Sequence, residues 1–259
     1  KKALYTSLLN YNKKILHRIV ADIMEERGAP HPIRFLHHLF RAEEFDRAAE
    51  ALAKSPNATS NVEYLRYIDR LLEHVGERDF DRYMKLLFLK SAILFNNGIT
   101  EEADSLLKGM IDVAVSKLSP LYAGSAYHLL TAYNMKAYCF GKAHYCGTKA
   151  LAHYERAGNG TPSHQNVLEI MASSELLRNN PAAVDTIVER IRSLSQNESR
   201  HYSKARLDYL LSEHHLMRGE YGTAIELLTG ALDEVEKQSE TWYMIHLLLG
   251  LGYFHICDW

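Results

Sequence analysis

The sequence has few cysteines, few prolines and no long apolar run. Only three of its 259 residues are cysteine and six are proline. An odd number of cysteines in a chain of this length argues against a disulfide scaffold. No run approaches the ~18 uninterrupted apolar residues of a membrane-spanning helix, and the N-terminus shows no signal-peptide pattern. We therefore expect a cytoplasmic protein without a membrane partner.

An excess of charge of one sign is also missing. The chain has 30 Lys and Arg against 32 Asp and Glu, a formal net charge of −2. This balance gives no field over the whole molecule that would attract nucleic acid. One basic group near the N-terminus consists of Lys1, Lys2, Lys13, Lys14 and Arg18. Its three interpretations are a contact with DNA, a contact with an acidic neighbouring domain, and a solvent-exposed helix face. The last two interpretations explain these charges more simply, so we do not expect nucleic-acid binding.

Strand signals are the third absence. No segment alternates apolar and polar residues with the β-branched enrichment of a strand. Apolar residues recur instead at the three- and four-residue spacing of helices, and glycine or proline separates the helical segments. The sequence therefore predicts an all-α fold.

One stretch shows how the helices are organised. Gly219 ends a helix, Tyr221 begins the next, and Ala224, Leu228 and Ala231 share one face of it. The small residues at 224 and 231 allow a second helix to approach closely. The stretch therefore predicts a tightly packed pair of helices.

The same pattern recurs along the chain. The anchor positions Ala103, Ala143, Val184 and Ala224 are 40, 41 and 40 residues apart. A sustained period of this length is typical of a solenoid, because one pair of helices cannot cover its own apolar face. The regular pattern begins near Asp79, so we divide the chain into an N-terminal helical segment (1–76) and a repeat region (77–259).

These residues resemble tetratricopeptide repeats. Gly219, Tyr221, Ala224, Leu228 and Ala231 match the second half of that family's motif, although the period near 40 exceeds the usual 34. Leu249, Gly250, Tyr253 and Trp259 match the first half of a further, incomplete repeat. The resemblance implies a right-handed superhelical solenoid of antiparallel helix hairpins. It also leads us to interpret the chain as part of a longer protein.

The longer period and the N-terminal part resemble the repeat arms of bacterial signalling ATPases, such as the maltose-regulon activator and ATPase-coupled cyclases. His37-His38, Ala42, Phe45 and Ala48 are similar to the step that opens those arms. The resemblance implies that residues 1–76 lead from an ATPase or helical domain into a first, atypical repeat. The chain has no Gly-x4-Gly-Lys-Ser/Thr phosphate loop, so we do not expect this part to hydrolyse ATP.

Candidate catalytic and metal-binding groups have simpler interpretations. Cys139, His144 and Cys146 share a helix, but this set lacks a fourth ligand, and a cysteine there packs as a small apolar residue. Ser173-Ser174-Glu175 and Ser212-Glu213-His214-His215 hold the residue types of a nucleophile and its base, but within helices rather than on a strained turn. We expect a protein that is not an enzyme and has no cofactor or metal.

The resemblance implies a binding surface, because the first helix of each pair lines the inner wall of such a superhelix. The polar side chains carried over to that wall are Lys85, His128, Asn166, Glu169, Arg206, Tyr209 and Glu213. The same positions in the last, open unit are Met244, Leu247, Leu251 and Phe254. We expect these four apolar residues to be covered by a further helix.

Two hypotheses follow. In the first, the chain is a non-catalytic interaction or effector-sensing arm of a signal-transduction and transcription-regulating protein. It binds a protein segment or a small effector in its concave groove. In the second, it is a structural spacer or oligomerisation arm without a groove ligand, which self-associates through the open C-terminal end.

Overall fold

The computed structural model describes residues 2–28, 31–55, 58–76, 79–158, 162–196, 204–237 and 239–256. Within these ranges the protein is all-helical and no strand forms, as predicted. The first helices are α1 (Lys2–Glu26), α2 (Pro32–Ala42), α3 (Phe45–Ala53), α4 (Leu65–Val75), α5 (Phe80–Asn96) and α6 (Thr100–Ser116). The others are α7 (Pro120–Lys136), α8 (Phe140–Ala157), α9 (Pro162–Leu177), α10 (Pro181–Gln196), α11 (Lys204–Met217), α12 (Tyr221–Leu232) and α13 (Glu240–Ile256).

The apolar spacing of the sequence predicts a helix from about Val62 to His74. Residues Val62–Tyr64 form a 3₁₀ turn instead, which leads into α4, and the Asn61 side chain accepts a hydrogen bond from the Glu63 N–H at 2.8 Å. The spacing also predicts a helix from about Glu198 to Arg218, and its start lies outside the described residues.

A left-handed backbone residue ends several of the helices. Gly98 and Gly219 have φ of 78° and 75°, and Tyr138 and Asn179 reach 55° without being glycine. Glu43 and Leu118 adopt the same conformation. In each case the next N–H bonds a carbonyl five residues back, at 2.8–2.9 Å, which is the 6→1 bond of a Schellman motif. These bonds satisfy carbonyls at the helix ends and reverse the chain.

Each of these six left-handed residues precedes a fully buried alanine or valine by five positions. These anchors are Ala48, Ala103, Ala123, Ala143, Val184 and Ala224, each 0% exposed. The anchor N–H closes the first turn of the next helix by bonding the carbonyl of the residue that follows the left-handed one. The turn therefore fixes which face of the next helix is buried, and the predicted register at 103, 143, 184 and 224 is confirmed.

The chain divides into two compact units, residues 1–110 and 111–259, so the division falls inside α6. The predicted boundary at 76 rests on the regularity of the repeats and stays a prediction. In the first unit α1 to α5 pack in succession around a core that includes Leu36, Leu39, Leu52, Ile68 and Leu71. The apolar spacing of the sequence accounts for this core.

In the second unit, α7 to α13 pack in succession, and helices two apart also touch. Contacts join α7 to α9, α9 to α11, and α11 to α13. The first helices of successive pairs therefore lie side by side, as a stack of pairs requires. The right-handed superhelix stays a prediction.

Glycines permit close helix contacts in this unit. A Cβ on Gly124 would lie 2.8 Å from the Tyr154 ring, and one on Gly147 would lie 2.6 Å from the Met171 side chain. Because real Cβ atoms do not approach that closely, these glycines hold α8 against its neighbours α7 and α9. Small residues on helix faces thus set the spacing of the stack.

The left-handed turn at Tyr138 generates a test of the fold. Tyr138→Gly should raise the free energy of unfolding by about 0.5–1 kcal/mol, because glycine adopts this conformation without the penalty paid by an L-residue. Urea unfolding followed by circular dichroism measures the change. Ala137→Gly is the matched control, since Ala137 has φ of −83° and glycine there should lower stability. A loss of stability in both variants would contradict the assigned turn.

Candidate functional site

The predicted groove residues fall on the helices expected of them. Lys85 lies on α5, His128 on α7, Asn166 and Glu169 on α9, and Arg206, Tyr209 and Glu213 on α11. Lys85 belongs to the first unit and is described separately. The side chain of Arg206 lies outside the described residues. The remaining five are half-buried and are called the polar row: His128, Asn166, Glu169, Tyr209 and Glu213.

Within the polar row, Tyr209 and Glu213 contact each other directly. The Tyr209 hydroxyl donates a hydrogen bond to Glu213 Oε1 at 3.0 Å, one helical turn away. Burial raises the pKa of the Glu213 carboxyl, although the bond from Tyr209 opposes this. Burial and the neighbouring carboxylate also raise the pKa of Tyr209. The pair therefore places a desolvated acceptor and a phenol at the edge of the helix stack.

The Tyr209 ring contributes to packing as well. It lies against the apolar cluster of Ala205, Leu228, Ala231, Ile245 and Leu249, which joins α11 to α12 and α13. Only one end of the side chain is therefore free for polar contacts. This explains why the residue is half-buried rather than exposed as the wall of an open groove.

His128 faces a buried tyrosine. Its Nδ1 lies 3.4 Å from the hydroxyl of Tyr154, a residue that is 1% exposed, and the same hydroxyl lies 3.5 Å from Ser125 Oγ. Burial lowers the pKa of His128 to about 4. The imidazole is therefore neutral near pH 7 and can donate or accept a hydrogen bond there.

Lys85 lines a separate cleft of the first unit, between α3 and α5. The cleft has a volume of about 540 Å³, and its apolar floor includes Leu52, Leu86 and Leu89. Lys85 pairs with Asp81, one turn earlier on the same helix. Its charge is thus already balanced at the rim of the cleft.

Three histidines on α1 and α2 form a cluster that was not predicted from the sequence. His17 Nδ1 lies 2.8 Å from His38 Nδ1, and the ring of His37 lies 5.9 Å from that of His17. Burial and nearby positive groups lower the pKa of both His37 and His38. No sequence signal linked His38 to a residue 21 positions earlier. Among the described residues, no group of three or more ligands is arranged to hold a metal.

A second network surrounds the buried Glu175 at the end of α9. Its carboxylate accepts hydrogen bonds from Arg178 Nη1 and Asn180 Nδ2, each at 2.9 Å, and lies 3.0 Å from His144 Nδ1. The neighbouring Ser174 Oγ is buried without a hydrogen-bond partner. Glu175 therefore joins the α9–α10 turn to α8 instead of activating a serine.

The cysteines beside His144 occupy different environments. Cys139 is exposed at the N-terminal cap of α8, whereas Cys146 is buried in that helix. His144, which lies between them in the sequence, has its Nδ1 3.0 Å from Glu175 Oε1.

No protein-family model and no curated protein sequence matches this chain. Among the helices described, none combines the length and the apolar character of a membrane span. The structure therefore establishes an all-helical protein whose helices pack in succession.

The lowered pKa of His128 predicts a pH-dependent stability. Its folded pKa of about 4 lies below the ordinary 6.5, so the unfolded chain binds the proton more tightly. The contribution of His128 to the free energy of unfolding is then fully present above pH 6.5 and is lost as the pH falls towards 4. The total loss is about 3 kcal/mol.

Urea unfolding at pH 7.5, 6, 5 and 4.5 tests this for the wild-type chain and His128→Gln. The variant should lose less stability on acidification, because glutamine does not titrate. His31→Gln, at an exposed residue before α2, is the control and should follow the wild type. Parallel pH profiles for wild type and His128→Gln would show that His128 is not the titrating group.

Proposed function

We propose that this chain is a non-catalytic helical-repeat module that recognises a protein segment or a small polar effector through the polar row. It acts as the interaction or sensing arm of a cytoplasmic signal-transduction and transcription-regulating protein. The resemblance to tetratricopeptide-like arms of signalling ATPases supports the context. The side chains of α7, α9 and α11 support the recognition itself.

The observation that carries the proposal is the half-buried Tyr209–Glu213 pair on α11. The repeat pattern places Leu247 and Leu251 at the matching positions of α13. Leucines there would pack without the cost of desolvating a carboxylate, so a polar pair is not explained by stability. A partly desolvated carboxyl with a raised pKa beside a hydrogen-bond donor is typical of a recognition or functional site.

Recognition would use complementary hydrogen bonds. Glu213 accepts, Tyr209 and the neutral His128 donate or accept, and Asn166 does both. An extended peptide backbone or a small molecule with amide or hydroxyl groups offers suitable partners. A ligand of this kind changes the arrangement of α7, α9 and α11 only if it binds two arrangements unequally.

The second candidate is a structural or oligomerisation arm without a groove ligand. It is favoured by the exposed apolar side chains of α13, with Leu247 65% and Phe254 68% exposed. Such a surface is typical of helix–helix association rather than of polar recognition. The two candidates use different helices, so they can be tested separately.

A peptide-display selection against the immobilised full chain tests the first candidate, together with thermal-shift screening of small polar molecules. Selected ligands are then titrated against the wild type, Tyr209→Phe and Glu213→Gln by fluorescence anisotropy or calorimetry. Each variant should weaken binding about tenfold or more, since each removes a partner of a partly desolvated hydrogen bond. The control is Glu226→Gln, at an exposed site of α12.

Ligands that bind the wild type, both row variants and the control equally would remove the polar row as the site. A selection that yields no saturable ligand would favour the structural arm. Circular dichroism of each variant verifies that the fold is retained.

A further inference from the structure

Four basic side chains of the first unit lie close together on two helices. His37 and Arg41 belong to α2, and Arg66 and Arg70 belong to α4. All four residues are exposed, and together they are called the basic surface. Among the residues that the structure describes, none of the three arginines forms an ion pair. The basic surface therefore presents positive charge to solvent, although the whole chain has a formal net charge of −2.

Carboxylates are present nearby but serve other cations. Asp69 lies between Arg66 and Arg70 in the sequence, yet its carboxylate pairs with Lys90 of α5 at 2.9 Å. Lys90 also reaches Glu102 at 3.3 Å. Uncompensated like charges repel one another and lower the stability of a fold. The clustering of the arginines is thus not explained by stability, and it is typical of a surface that recognises an anion.

Two aromatic rings hold the guanidinium groups of α4 in place. Arg66 Cζ lies 4.7 Å from the centroid of the Tyr67 ring, and Arg66 Nη2 donates a hydrogen bond to the Tyr67 hydroxyl at 3.0 Å. Arg70 Cζ lies 5.1 Å from the centroid of the Phe40 ring. Both rings are buried, and their centroids are 4.9 Å apart. A guanidinium stacked in this way is oriented in advance and keeps most of its N–H donors for a carboxylate.

His37 shows that the positive field extends from α2 to α4. Burial lowers its pKa, and the charges of Arg41, His17 and Arg66 lower the pKa further. Arg41 lies on the same helix as His37, whereas Arg66 lies on α4. A carboxylate bound here would be attracted by arginines of both helices and would favour protonation of His37.

We propose that the basic surface binds an acidic protein segment that carries several Asp or Glu side chains. Arg66 and Arg70 lie one helical turn apart and stack on different rings, so their charges are spread over the surface. Spread charges suit carboxylates about 6–7 Å apart, as on alternate residues of an extended chain, better than one compact phosphate group. The inference concerns the first unit and does not depend on the polar row.

The probe is a labelled twelve-residue peptide in which glutamate and serine alternate. It is titrated with the full chain at low salt, and fluorescence anisotropy is measured. The control peptide has glutamine in place of every glutamate. A second titration at about 1 M salt, where the Debye length is about 3 Å, tests whether charge drives the binding.

We expect saturable binding of the glutamate peptide at low salt, loss of binding at high salt, and no binding of the glutamine peptide. Arg66→Gln and Arg70→Gln should each weaken binding about fivefold or more, because each removes charge-assisted hydrogen bonds. Arg27→Gln removes the same charge at an exposed residue outside the basic surface and should leave binding unchanged. Circular dichroism verifies the fold of each variant.

Four results would overturn the proposal. Equal weakening by Arg27→Gln would show attraction by net charge alone, and equal binding of the glutamine peptide would show that carboxylates are not recognised. Absence of saturable binding at low salt would remove the surface as a site for acidic segments. Binding of tripolyphosphate or of an oligothymidylate that requires Arg66 and Arg70, without binding of the glutamate peptide, would assign the surface to a phosphate-bearing ligand.

Discussion

The packing of this protein depends on a left-handed residue placed five positions before a small buried side chain. The left-handed residue reverses the chain through the 6→1 hydrogen bond, and the anchor follows at the first closed turn of the next helix. Since the distance is the same in six connections, each of these turns presents the same face of the next helix to its neighbour. A larger anchor would separate the helices, and a longer turn would rotate the buried face outwards.

This constraint explains how much of the fold could be predicted. The anchors are small residues with a fixed period, so the sequence alone located Ala143 and Ala224 in their faces. The conformation of Tyr138 could not be predicted, because a tyrosine is rarely found with positive φ and only the surrounding helices hold it there. At positions 98 and 219 a glycine indicated the left-handed residue, whereas Tyr138 and Asn179 gave no such indication.

The candidate site was predictable in position but not in contacts. Helical spacing placed Tyr209 and Glu213 one turn apart, and they do touch. It could not show that His128 faces Tyr154, or that His17 lies beside His38, because those contacts join residues more than 20 positions apart. The hydrogen-bond network at Glu175 was not predicted either. It joins Glu175 to Arg178 and Asn180, which follow it closely, so a charged network at this helix end could have been expected from the sequence.

The second unit therefore combines polar side chains on α7, α9 and α11 with apolar ones at the matching positions of α13. We interpret the first set as a site of recognition and the second as a surface for helix packing. Both interpretations require that the first helices form one stack in which each pair is stabilised by its neighbours. In such a stack, adjacent pairs of helices stabilise each other, and this coupling weakens with distance along the stack.

Amide hydrogen exchange of the full chain with and without Ala224→Leu tests that claim most directly. Leucine at the fully buried anchor should cost about 1–3 kcal/mol by overpacking. Exchange should then accelerate together in α11, α12 and α13, while the amides of α7 and α8 keep their protection. Acceleration confined to α12, or spread evenly from α7 to α13, would contradict a stack of neighbour-stabilised pairs.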